Sequence, residues 1–195
     1  MNAFFQRTGR YIPAILLISS VLVSCQSTRD QTSKFVEPMI NQELLTEEGE
    51  MILVGRINRE GLAREDYRYW FEDEYNYYVV DEQALAGLSA AVQTTEIWVF
   101  LGTWCSDSQR ELPRFYKIMD ALGIPESRLN VIGLDNHPDR YKQSPQHEEV
   151  GWNIEYVPTF VFVRDGKEIG RIVEAPLESL ERDLAGMLRS GGLVN

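Results

Sequence analysis

Cysteine is scarce in this 195-residue chain: there are two, Cys25 and Cys105, so no disulfide framework holds the fold together. Histidine is equally scarce. His137 and His147 have no cysteine near either of them, and Asp135 and Asp139 lack the ligand spacing of a calcium loop. Both histidines therefore read as solvated surface, and neither a metal nor any other cofactor is expected. Basic residues are outnumbered, 19 Lys and Arg against 30 Asp and Glu, and no basic block occurs. That balance argues against nucleic acid as a partner. No internal repeat is visible. What the chain has in quantity is apolar material, 44% of residues, enough for a globular core.

The one long apolar run is at the start. Arg7 and Arg10 precede Tyr11 to Val23, a stretch short for a bilayer span, which reads as a secretory signal. It ends Leu22-Val23-Ser24-Cys25, which resembles the lipobox of bacterial lipoproteins, and polar Gln26-Ser27-Thr28 follows. The alternative is an uncleaved membrane anchor with a chance cysteine. The resemblance implies a signal peptide over 1–24, lipidation of Cys25, a tether over 25–50 and a domain over 51–195. It also implies a lipid-anchored protein of a bacterial cell envelope. Gln26, rather than Asp, after the cysteine resembles an outer-membrane address. Cys105 is then the one free thiol.

Along the domain, Met51 to Ile57 has the pattern of a strand, while Phe35 to Glu50 is ambiguous, with Met39, Ile40, Leu44 and Leu45 compatible with a short helix. Tyr67, Phe71, Tyr75 and Tyr78, with Trp70 beside them, share one face at helical spacing, opposite Arg68, Glu72, Asp73 and Asn76. This aromatic face reads as a flap on the core in preference to a substrate platform. Asp81 is placed to cap a helix from Glu82 to about Val92. Asn130 to Leu134 reads as a strand, and Asp139 to Val150 as helical at its ends. Two β-rich runs around Asp165-Gly166 predict an antiparallel hairpin, and Leu177, Leu180, Leu184, Met187 and Leu188 mark a final amphipathic helix.

Between them lies the most informative stretch. Glu96 to Leu101 reads as a buried strand, Gly102-Thr103 breaks it, and from Ser106 a helical pattern runs through Leu112, Phe115, Ile118, Met119 and Leu122. Cys105 thus falls where a strand ends and a helix begins, facing the helix dipole and the free N–H groups of the first turn. Asp107 opposes that field and Arg110 is placed to offset it. Pro113 lies inside the helix and predicts a kink.

Trp104-Cys105, Ser108, Pro113, Val157-Pro158-Thr159 and the Asp165-Gly166 turn, in this order, resemble the thioredoxin superfamily over about residues 82 to 190. The resemblance implies an α/β thioredoxin-like fold: a mixed central sheet flanked by helices, here with an N-terminal strand and helix extension. The long interval between Cys105 and Pro158 suggests an insertion around Tyr141 to Trp152. By resemblance, Cys105 is the attacking thiol, Pro158 a cis-proline facing it, and Trp104, Val157 and Pro158 the partner-binding residues. Two positions depart from the family. Ser108 stands where the resolving cysteine sits, and Val99 where a buried carboxylate sits.

The departures imply monothiol exchange with protein thiols or disulfides of the envelope, Ser108 hydrogen-bonding the sulfur and an external thiol resolving the mixed disulfide. The alternative is a non-catalytic thioredoxin-fold binding or scaffold lipoprotein. A monothiol glutaredoxin role is disfavoured, since the Gly-Phe pair of that family is missing around Cys105.

Overall fold

The computed structural model describes residues 39–190. The expected signal peptide, Cys25 and most of the expected tether lie outside the described residues. Six strands, β1 (Gln42–Leu45), β2 (Met51–Arg56), β3 (Glu96–Leu101), β4 (Leu129–Gly133), β5 (Thr159–Arg164) and β6 (Lys167–Val173), form one sheet in the order β1-β2-β4-β3-β5-β6. β3 and β4 are parallel and every other pairing is antiparallel, so the sheet is mixed, as expected.

β3 sits at the centre because its residues are apolar on both sides. Ile97, Val99 and Leu101 point to one face with Val131, Phe160 and Phe162, where all the helices pack. These are α1 (Arg59–Leu62), α2 (Glu65–Tyr77), α3 (Glu82–Leu85), α4 (Ser89–Gln93), α5 (Ser106–Ala121) and α6 (Leu180–Ser190). Phe115 of α5 meets Phe160 at 4.7 Å between ring centres. Phe100, Ile132, Val161 and Val163 face the other way. That second face is closed not by a helix but by the connection between β4 and β5, whose Trp152 ring lies 5.0 Å from Trp98 and 5.9 Å from Phe100.

Several expectations hold. α2 buries Tyr67, Trp70 and Phe71, with Tyr75 and Tyr78 packed against the same core. The β5–β6 hairpin turns at Asp165 and Gly166, both at positive φ (+52° and +72°), the pairing a two-residue hairpin turn requires.

Others are corrected. Gln42–Leu45, inside the expected tether and compatible with a helix, is an edge strand paired with Val54 to Met51 of β2. β1 is thus part of the sheet. The helix expected from Glu82 to Val92 is two short ones, because Gly87 at φ +78° interrupts it; Asp81 does cap the first, accepting from the Ala84 N–H at 3.0 Å. Residues 139–150 hold a single 3-10 turn at Pro138–Arg140, since Lys142 and His147 adopt φ of +57° and Pro145 has no N–H to give.

Tyrosine–carboxylate pairs tie the helices together. Tyr78 donates to Glu181, itself buried in α6, at 2.9 Å, Tyr75 to Asp120 at 2.6 Å, and Tyr116 to Glu126 at 3.1 Å. Tyr67 donates to Glu43 at 3.3 Å. Burial first, and then the carboxylate partner, pushes all four hydroxyls above the ordinary phenol range. A raised folded value favours the neutral form, so this stabilisation is complete below the unfolded value of about 10 and is lost above it. The denaturation midpoint is expected to fall as the pH climbs from about 9 to 11. In Tyr78→Phe the fall is shallower, by at most one proton's worth, about 1.4 kcal/mol per pH unit. Equal slopes for the two proteins in urea titrations would contradict this.

Candidate functional site

β3 ends at Leu101, and the chain turns through Gly102 to Cys105 before α5 begins. The turn is closed by the Cys105 N–H donating to the Gly102 carbonyl at 2.9 Å. Gly102 is required here because a Cβ would collide with the Trp104 ring. Thr103 is buried and its Oγ1 accepts from the Leu53 N–H at 3.0 Å, fastening the loop to β2. Trp104 donates through Nε1 to the Leu134 carbonyl at 2.8 Å, and its ring lies 5.7 Å from Tyr141.

Cys105 is the N-cap residue of α5, with extended backbone (φ −98°, ψ 123°), half-buried and with a free thiol. Its Sγ donates to the Val157 carbonyl at 3.3 Å. The Val157–Pro158 peptide bond is cis, as the resemblance implied, and both residues are buried. Trp104, Cys105, Val157 and Pro158 are therefore one cluster, assembled at one end of the β3–β5 ladder, where β3 ends and β5 begins.

Ser108 joins that cluster differently from the expectation. It is fully buried, and its Oγ accepts from the Gly102 N–H at 3.3 Å, while the Cys105 thiol is bonded to Val157. Ser108 thus holds the loop and does not bond the sulfur. Val99 is buried in β3 between Val131 and Phe160, so no carboxylate stands at that place. Asp107 is paired with Arg110 at 2.8 Å, as anticipated. Arg110 also meets Glu111 at 2.7 Å, and Arg114 lies 3.6 Å from Glu111 and 2.8 Å from Glu74 of α2.

Glu111 is the residue that sequence reasoning missed. It is buried on α5, and the signal was its place between two arginines one turn apart, Arg110 and Arg114. α5 runs unbroken from Ser106 to Ala121 across Pro113. His137 lies 3.4 Å from Glu47, and His147, exposed, 3.5 Å from Glu149. Among the described residues no group of three or more His, Cys, Asp or Glu is placed to hold a metal ion.

Residues three apart in the first turn of a helix have Cβ atoms about 5–6 Å apart, close to the reach of a disulfide. The Ser108→Cys variant is therefore expected to form an internal disulfide with Cys105 on mild oxidation, read as a mass two hydrogens lower and protection from alkylation. Losing the bond to Gly102 should cost about 1 kcal/mol of stability. Two thiols that stay alkylatable after oxidation would refute the geometry.

No protein-family model matches the chain. Over 95 residues it is 48% identical to thioredoxin H-type 1 of Nicotiana tabacum, an alignment covering 48% of this chain and 68% of that protein. Over 89 residues it is 33% identical to the TPR repeat-containing thioredoxin TDX of Arabidopsis thaliana, covering 46% of this chain and 21% of that protein. The chain thus spans about two thirds of the length of the first and about a fifth of the second. Among solved structures, oxidised mitochondrial thioredoxin 3 of Saccharomyces cerevisiae aligns at 20% identity with a TM-score of 0.32, over 61% of this chain and 96% of that one. With the tobacco relative matched at that identity over that share of its length, the chain belongs to the thioredoxin family.

Proposed function

We propose that this protein is a monothiol thiol–disulfide exchange protein, anchored to a bacterial envelope membrane by lipid on Cys25. The observation that carries the exchange reading is the half-buried Cys105 thiol at the start of α5, with its Sγ 3.3 Å from the Val157 carbonyl. Its thiolate attacks one sulfur of a partner disulfide. A bond forms from Cys105 to that sulfur, the partner's S–S bond breaks, and the released partner thiolate takes up a proton. Val157 and Pro158 present backbone beside the sulfur for an extended partner segment.

With serine at position 108 the second step is intermolecular. An external thiolate attacks the mixed disulfide, its sulfur joins the partner's, and Cys105 leaves as thiolate. No electrons are gained or lost by the protein across the cycle. A lipid-anchored binding protein with a silent Cys105 is the competing reading. It is favoured by the sealed Ser108 and the apolar Val99.

The two separate experimentally. Incubated with envelope proteins, the native chain is expected to give adducts that dithiothreitol releases, and Cys105→Ser none. Identical profiles would leave the binding reading. The anchor has its own test: cells given a labelled fatty acid should label the native chain and leave Cys25→Ser unlabelled, whereas equal labelling would exclude Cys25 as the acceptor.

A further inference from the structure

A cleft of about 490 Å³ borders Thr103 and Trp104, the two residues that lead into Cys105. Gln109 of α5 also borders it, and its remaining walls come from elements outside the segment that resembles a thioredoxin. The turn between β1 and β2 contributes Glu50, and the beginning of α2 contributes Glu65, Asp66, Tyr69 and Trp70. No lysine or arginine lines it. Among the described residues, the carboxylates of Glu50, Glu65 and Asp66 make no ion pair, whereas eight of the twelve arginines do. Arg64, adjacent in sequence, is turned to Glu43 at 2.9 Å and to the Asn41 carbonyl at 3.0 Å.

Two of the three carboxylates have a local reason to be there, since acids in a first turn complement the helix dipole. Glu50 has none, being on a turn. Its presence opposite them puts three like charges around one concavity, a cost unless a cation enters. Tyr69, 63% exposed, adds the face of an aromatic ring, which attracts cations further.

We propose that this cleft receives a lysine or arginine side chain of the polypeptide engaged at Cys105, so that the protein selects basic segments. The proposal rests on the exchange reading for its partner. Thr103 and Trp104 are at most two residues from Cys105, so the basic residue lies roughly two to four residues from the reacting cysteine of an extended partner. Carboxylates at a cleft mouth raise the local concentration of a cationic segment and its rate of encounter.

The test has a binding arm and a rate arm, both with the full chain. In the first, a thiol-free peptide carrying one lysine, or glutamine in its place, is titrated into Cys105→Ser protein and followed by tryptophan fluorescence. The lysine peptide is expected to bind about tenfold more tightly at low salt. Glu65→Gln/Asp66→Asn should abolish this preference. Glu72→Gln/Asp73→Asn, an equal change of charge on exposed positions of the same helix outside the cleft, should keep it. Loss in both variants would reduce the effect to the net charge of −11 and overturn the proposal, as would no preference at all.

In the rate arm the same peptides carry a cysteine three residues away, activated as a disulfide with 5-thio-2-nitrobenzoate, and release of the coloured thiol from native protein is followed. A lysine preference that Glu65→Gln/Asp66→Asn removes supports the proposal. Equal rates for the two peptides overturn it and leave the exchange reading intact. No release with either peptide, together with a lysine preference in binding, overturns the exchange reading and leaves the cleft as a site for basic segments.

Discussion

Phe100 stands opposite Thr159 across the antiparallel β3–β5 ladder, and the site depends on that register. Because the strands run in opposite directions, the end of β3 and the beginning of β5 lie at the same edge of the sheet. The loop to Cys105 and the segment ending in Pro158 are thereby delivered side by side. A slip of one residue would exchange the faces of Phe160 and Val161. Phe160 would leave its place 4.7 Å from Phe115 on α5. The packing that fixes the register therefore also fixes the helix that begins at Cys105, and core and thiol share one constraint.

The first turn of α5 keeps its shape without a second thiol. Ser108 is sealed from solvent and bonded to Gly102, Gln109 donates through Nε2 to the Thr103 carbonyl at 2.8 Å, and Thr103 is tied to β2. These bonds hold the loop from inside, and none involves the sulfur. Val99 belongs to the same logic. Flanked by Val131 and Phe160 in a dry layer, that position suits an apolar side chain, and an unpaired carboxylate would carry a heavy desolvation cost. The charge on this face is carried instead by Glu111, set between Arg110 and Arg114, where it joins α5 to α2 through Glu74.

What could be read from residues alone follows from how local each signal is. β3, α5, the Asp165-Gly166 hairpin and the aromatic face of α2 are written in periodicity and turn chemistry over a few residues. β1 is not: Gln-Glu-Leu-Leu alternates in neither sense, and pairing with β2 makes it a strand. The β4–β5 connection misleads because Lys142, His147 and Asn153 take positive φ without being glycine, and the Lys142 ammonium is held at the Glu155 carbonyl, 13 residues on. The identity of Ser108 was plain but its direction was not. A serine one turn into a helix can face the sulfur or the loop, and only the position of Gly102 decides.

Two segments distant in sequence converge on Trp104. The β4–β5 connection brings Tyr141 against its ring, and Lys142 in turn lies 5.0 Å above Tyr141 and 5.2 Å above Tyr156, just before the cis bond. From the other chain segment, the β1–β2 turn and α2 bring carboxylates and Tyr69 to the cleft beside it. The loop holding the thiol is thus bordered by a cationic aromatic wall on the β4–β5 connection and an acidic aromatic one formed by the β1–β2 turn and α2. The shared fold sets the position of Cys105 at the start of α5, and the elements around it set the charge and the aromatic character of its surroundings.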